Sequence, residues 1–133
     1  MPISRYTFRK EERLISRKTI EALVRSGKVI HLPPVRLTWL PIQNDSGSSL
    51  QAAFAVPKRV FKNATDRNLL KRRMRESYRK NKYMVGSLVS ERKMQYALLF
   101  VFTGNKLISY SDADEKIRLI LQRFAETIQE HNS

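Results

Sequence analysis

The chain has 133 residues, 41% of them hydrophobic, which suits one domain with a modest core and argues against global disorder. It carries 26 Lys and Arg against 12 Asp and Glu, a formal charge of +14, and self-repulsion on that scale persists most readily where the working partner is a polyanion. The absence of cysteine excludes disulfides, iron–sulfur ligation and thiol catalysis, and two distant histidines, His31 and His131, cannot make a zinc site without carboxylate help.

The first predicted element is a helix over about Arg17 to Arg25, capped by Ser16 and stopped by Gly27, with Ile20, Leu23 and Val24 on one face. A short strand over Lys28 to Leu32 ends at Pro33-Pro34. Val35 to Leu40 alternates, Val35, Leu37 and Trp39 opposite Arg36 and Thr38, as in a half-buried strand. After a loop at residues 44–49, Leu50 to Val56 alternates again, Leu50, Ala52, Phe54 and Val56 opposite Gln51, Ala53 and Ala55, and these two strands are expected to form a hairpin. Pro57 opens a loop, and a helix follows from Thr65 or Asp66, either residue being a suitable cap, to Asn81. Tyr96 to Thr103 reads as a buried strand; Ser111 or Asp112 then opens an amphipathic helix with Ile117, Leu121, Phe124 and Ile128 on one side. The order α-β-β-β-α-β-α implies an α+β domain, one four-stranded sheet with helices packed against it. Trp39, Phe54, Tyr78 and Tyr83 are assigned to packing. No secretory signal is evident near the N-terminus, and the longest apolar run, Ala97 to Phe102, is too short to span a bilayer, so a cytoplasmic protein with no membrane partner is expected.

The charge is unevenly placed. Residues 56–82 hold eleven bases against Asp66 and Glu76, whereas residues 105–133 mix both signs. At 100° per residue Leu70, Met74 and Ser77 form the core stripe of the 66–81 helix, with Tyr78 at its margin. Arg67, Lys71, Arg75 and Arg79 recur every fourth residue along a neighbouring line, and Asn68 and Arg72 share that sector. Like charges at this spacing repel by a few tenths of a kcal/mol each, roughly. Their repetition without compensating acids points to an expected anion, and arginine's planar fork suits phosphate oxygens.

Val56-Pro57-Lys58-Arg59-Val60, Asn63-Ala64, Arg67-Asn68-Leu69-Leu70-Lys71-Arg72 and Arg75-Glu76 closely resemble the signature of the bacterial ribonuclease P protein subunit. Phe8-Arg9-Lys10, Arg13-Leu14 and the helix ending at Gly27 fit that family's N-terminus. Leu69 departs from the family's Arg-Asn-Arg triplet, Phe61-Lys62 stands where one glycine is usual, Pro57 replaces a common serine, and Ile20 and Val24 stand where relatives often place phenylalanines.

The resemblance implies that residues 1–133 form a single RNA-binding domain with an unusual left-handed crossover between its third and fourth strands. It implies a subunit that assists an RNA-based endoribonuclease in removing the 5′ leader of precursor tRNA, with the chemistry carried by the RNA subunit and its Mg²⁺ and no cofactor bound by the protein alone. The implied partners are the ribonuclease P RNA and the precursor tRNA leader, not DNA. Carried over residue by residue, Lys58, Arg59, Lys62, Asn63, Arg67, Asn68, Lys71, Arg72 and Arg75 become ligands of the catalytic RNA. Ile20, Val24, Arg36, Thr38, Ala53 and Ala55 become the leader-binding cleft. The residues themselves agree on one point: no general-acid pair and no acidic cluster suggests a catalytic or metal site in the protein. The alternative is a general or ribosome-associated RNA-binding module with no processing role.

Overall fold

In the computed structural model, which describes residues 8–43 and 48–131, four strands join into one mixed sheet. They are β1 (Lys28–Leu32), β2 (Val35–Pro41), β3 (Leu50–Ala55) and β4 (Tyr96–Phe102), in the spatial order β1-β2-β4-β3. The helices are α1 (Arg17–Ser26), α2 (Ala64–Asn81), α3 (Tyr83–Glu91) and α4 (Tyr110–His131), with one 3-10 turn at Lys10–Glu12. β2 runs antiparallel to both β1 and β4, while β3 is parallel to β4 and connects to it through α2 and α3.

The expected hairpin between residues 35–40 and 50–56 does not form. β4 lies between those strands, and β2 turns back on β1 instead, through a link containing the cis Pro33–Pro34 peptide. The physical reason is the composition of β4: apolar at every position from Tyr96 to Phe102, it must be covered on both faces and so takes an interior place. Strands that alternate, like β2 and β3, can flank it.

One face of the sheet carries Val35, Leu37, Trp39, Leu50, Ala52, Leu98, Phe100 and Phe102, and α2 and α4 close over it with Leu70, Met74, Tyr78, Ile117, Leu121 and Phe124. Trp39 meets Phe124 with ring centroids 5.2 Å apart, and half-buried Phe54 stacks on Phe100 at 5.4 Å. Burial of each such side chain contributes about 1.5–3 kcal/mol, so this face supplies most of the stability. The opposite face is thinner. There α1 brings Leu23 and half-buried Ile20 onto Ala97, Leu99, Leu40 and Ala53.

The helix ends show how local chemistry places these elements. Ser16 caps α1, its Oγ accepting from the Thr19 N–H at 3.2 Å. A Cβ at Gly27 would sit 2.5 Å from both the Leu23 carbonyl oxygen and Thr38 Cγ2, so the missing side chain is what lets α1 end against β2. The cap of α2 is Asn63, not Thr65 or Asp66: its Oδ1 accepts from the Thr65 N–H at 2.8 Å, which starts the helix slightly earlier than expected. α4 opens at Tyr110 rather than at Ser111 or Asp112, with Ser109 Oγ accepting from the Asp112 N–H at 3.1 Å.

α3 is an element the periodicity did not reveal. It follows α2 through Lys82, whose own dihedrals are helical and which offers no side-chain cap, so no start signal exists to be read. Val85 and Val89 are buried on its inner side, but Tyr83 is 46% exposed, and its expected packing role is therefore wrong. Finally, α2 is fixed to α4 by Asp114, which accepts from Ser77 Oγ at 2.7 Å and from Asn81 Nδ2 at 3.0 Å. Arg73 adds a bond from Nη1 to the Ile108 carbonyl.

Candidate nucleic-acid interface

The chain leaves β3 through Val56, which is buried, and bends at once: the Val60 and Phe61 N–H groups both donate to the Pro57 carbonyl, at 3.4 and 3.2 Å. Phe61 then turns inward, 7% exposed, with its ring 5.7 Å from that of Phe102. With Phe61 anchored, its neighbours Lys58, Arg59 and Lys62 stay exposed. The apolar residue at the departure from the family pattern thus plugs the core, while the cations around it face solvent.

Beyond the Asn63 cap, α2 buries Leu70, Met74, Ser77 and Tyr78 and presents the adjoining sector outward. Asn68, Arg72 and Arg75 are exposed and Lys71 is half-buried. Among the described residues none of Lys71, Arg72 and Arg75 pairs with a carboxylate. The one acid nearby is already engaged: Arg79 forks onto Glu76, Nε to Oε1 at 3.2 Å and Nη2 to Oε2 at 2.9 Å. The Arg79 hydrogen bonds hold the Glu76 carboxyl below the usual glutamate range, and the same contact raises Arg79. Glu76 also feels Lys80 and Arg75, but one carboxylate among several cations leaves the sector positive.

Two expected RNA ligands have other work. Asn63 spends its Oδ1 on the helix cap. Half-buried Arg67 donates from Nη1 to the Phe61 and Lys62 carbonyls, at 2.7 and 2.9 Å, and so faces its own loop. Lys58, Arg59, Lys62, Asn68, Lys71, Arg72 and Arg75 remain available as one surface.

That surface borders a groove of about 560 Å³ whose far wall is the edge strand β3 and the segment before α1. Phe8, Arg13 and Leu14 line it with Ala52 to Phe54, and Lys71, Arg75, Glu76 and Arg79 close it from α2. The segment is tied down by the Leu14 N–H to the Ala52 carbonyl at 2.9 Å and by an ion pair between Glu12 and Lys82. Arg13 and Phe8 were not among the expected site residues, because only the tertiary path brings them beside α2. Among the described residues buried Tyr78 has no hydrogen-bond partner for its hydroxyl, and desolvation raises its pKa far above the tyrosine range.

The residues expected to form a cleft beside α1 divide into two rows across the sheet. Thr38, Leu99 and Ala53 make one; Arg36, Val101 and Ala55 make the other. Arg36 and Thr38, expected directly beside Ala53 and Ala55, are separated from them by β4, which follows from the same strand order that removed the hairpin. The first row is taken up by packing: Thr38 is 7% exposed beneath the end of α1, and Ile20 lies with Ala53 and Leu99. The second row is half-exposed, and Val24 on α1 is 76% exposed. Arg36 keeps a buried Nε with no hydrogen-bond partner among the described residues.

The ribonuclease P family model matches residues 8–125. The chain belongs to the ribonuclease P protein family. It is 29% identical over 121 residues to the ribonuclease P protein component of Porphyromonas gingivalis, covering 87% of this chain and 85% of that one. It is 33% identical over 105 residues to the ribonuclease P protein component of Chlorobium phaeobacteroides, covering 71% and 72%. The fold matches the RNase P protein of Thermotoga maritima with a TM-score of 0.66 at 21% identity, over 84% of this chain and 96% of that chain. It matches the Staphylococcus aureus RNase P protein with a TM-score of 0.65 at 14% identity, over 84% and 93%. The family assigns the chain a role in tRNA processing as a ribonuclease P protein subunit. Among the described residues no helix is long and apolar enough to cross a membrane.

Proposed function

We propose that this subunit binds the catalytic RNA of ribonuclease P with the outer face of α2 and the 57–63 loop. In the same reading the 5′ leader of precursor tRNA lies against the Arg36–Val101–Ala55 row beside α1, and the work is cytoplasmic. The observation that carries the reading is the excess of cations: among the described residues Lys71, Arg72 and Arg75 on α2 and Lys58, Arg59 and Lys62 on the loop before it form no ion pair with a carboxylate.

The mechanism is electrostatic positioning. Cations held on a rigid helix lower the repulsion between two polyanions that must meet, and they act without taking part in bond breaking. On the second row the small Ala55 lets a single strand approach the sheet closely, and the half-exposed Arg36 side chain supplies positive charge beside it. In this reading the Mg²⁺ that the reaction uses belongs to the RNA, and the protein's side chains bind and position.

Reconstitution with the cognate RNA tests the proposal. Adding the protein is expected to raise the rate of leader removal at low Mg²⁺, where phosphate repulsion is least screened. Equal rates with and without protein across the Mg²⁺ range would reject it.

A further inference from the structure

Arg67 belongs by position to the basic line of α2, yet its geometry sets it apart from Arg72 and Arg75. Those two are exposed; Arg67 is half-buried, and its Nη1 donates to two successive main-chain carbonyls, Phe61 at 2.7 Å and Lys62 at 2.9 Å. Hydrogen bonds from an ionised donor are shorter and stronger than neutral ones. Two neighbouring carbonyls converge on one nitrogen only if the chain bends there, so Arg67 holds that bend from within the first turns of the helix.

The loop has few other ties. Phe61 rests on Phe102, the Val60 and Phe61 N–H groups share the Pro57 carbonyl, and Asn63 caps the helix. Against these stand three exposed cations, Lys58, Arg59 and Lys62, which repel one another within five residues. Among the described residues no other hydrogen bond holds both carbonyls preceding Asn63.

We infer that Arg67 is a positioning residue: it acts on RNA through the 57–63 loop, presenting Lys58, Arg59 and Lys62 as a preformed unit, rather than by gripping a phosphate itself. The inference rests on the proposed binding of the catalytic RNA by α2 and this loop.

A double-mutant cycle separates the two roles. The full chain is titrated with its ribonuclease P RNA over a salt series as wild type, Arg67→Gln, Arg72→Gln, the loop variant Lys58→Gln/Arg59→Gln/Lys62→Gln, and the loop variant combined with each arginine change. Every cation withdrawn from a phosphate lowers the slope of log affinity against log salt by roughly 0.7–0.9. Arg67→Gln is expected to lower the slope by about two such steps, because loop cations leave with it, and to weaken binding on the order of tenfold. In the loop variant the same change is expected to cost less than about twofold, since nothing remains for it to position. Arg72→Gln is expected to lower the slope by about one step in both backgrounds. Equal losses from Arg67→Gln in both backgrounds would overturn the inference and make Arg67 a direct ligand. If neither the loop variant nor Arg72→Gln changes the affinity, the proposed RNA-binding surface fails as well, which is a different pattern.

Hydrogen exchange on the free protein gives an independent reading. Arg67→Gln is expected to speed exchange at the Val60 and Phe61 amides while α4 keeps its protection. Unchanged exchange at those amides would overturn the clamp.

Discussion

α2 and α4 pack against each other over one face of the sheet and are built from similar materials, yet they end in opposite roles. α2 carries seven bases and two acids; α4 carries three bases and five acids. Both bury an apolar stripe, Leu70, Met74 and Tyr78 on one and Ile117, Leu121 and Phe124 on the other. The difference lies in what faces water. On α4 both signs alternate, which is how a solvated helix keeps its surface neutral. On α2 the one acid in the outer sector, Glu76, is held by Arg79, and among the described residues Lys71, Arg72 and Arg75 meet no carboxylate. An apolar stripe is therefore no guide to function; the unmatched outer sector is.

The largest expected effect falls on the structural helix. Phe124→Ala opens space between Trp39 and Tyr96, whose rings lie 5.2 and 5.3 Å away, and is expected to cost about 3–5 kcal/mol in urea unfolding. A loss under about 1 kcal/mol would mean that α4 is not the main cover of the core.

Next come the hydrogen bonds by which α4 holds α2. Asp114→Ala removes the acceptor of buried Ser77 Oγ and one of the acceptors of Asn81 Nδ2, which keeps the Ser77 carbonyl, at an expected cost of about 1–3 kcal/mol. Because this bond orients α2, RNA affinity should fall with stability; intact binding in a destabilised variant would show that α2's orientation does not depend on Asp114.

Gly27→Ala is expected to destabilise by about 1–3 kcal/mol, since the added Cβ meets the Leu23 carbonyl and Thr38 Cγ2 at 2.5 Å and α1 must shift on the sheet. Its melting temperature, compared with that of Gly86→Ala, where a Cβ meets nothing within 4 Å, isolates the clash from the general effect of replacing glycine.

The smallest effect is that of pH on the Glu76–Arg79 pair. The carboxyl is depressed in the folded state, so its contribution is present above the unfolded glutamate value and is lost as pH falls through the lower folded value. With 41% of the Glu76 side chain exposed, solvent screening limits it to about 0.2–1 kcal/mol. Glu76→Gln should therefore flatten stability slightly on the acid side of pH 4.5, and the variant should trail wild type by that small amount near neutrality and match it once the carboxyl is protonated. Equal loss at both ends would mean that the pair contributes through packing instead.

The same contrast explains what could be read in advance. Strands 35–40 and 50–56, the basic helix and the final helix announce themselves through periodicity, because each meets water on one side. Their partners do not. Strand pairing depends on β4, far from β3 along the chain, and the signal present, an apolar run without alternation, marked an interior strand without saying which neighbours it separates. α3 lacks a cap and begins where α2 stops, so its start had no local mark. At the interface, Lys71, Arg72 and Arg75 were legible as an uncompensated sector. Arg67 and Asn63 looked alike in type but are engaged with their own backbone, and Arg13 reaches the groove only through the path of the segment before α1.

The most direct test sets the outer faces of the two helices against each other. Affinity for the ribonuclease P RNA is measured against salt for Lys71→Gln/Arg72→Gln/Arg75→Gln on α2 and for Lys116→Gln/Arg118→Gln/Arg123→Gln on α4, which remove equal charge. The α2 variant is expected to lose roughly two to three units of salt slope and on the order of a hundredfold in affinity, while the α4 variant stays within about threefold of wild type. Equal losses from both variants would show that net charge alone attracts the RNA, and that the arrangement on α2 has no special part in holding it.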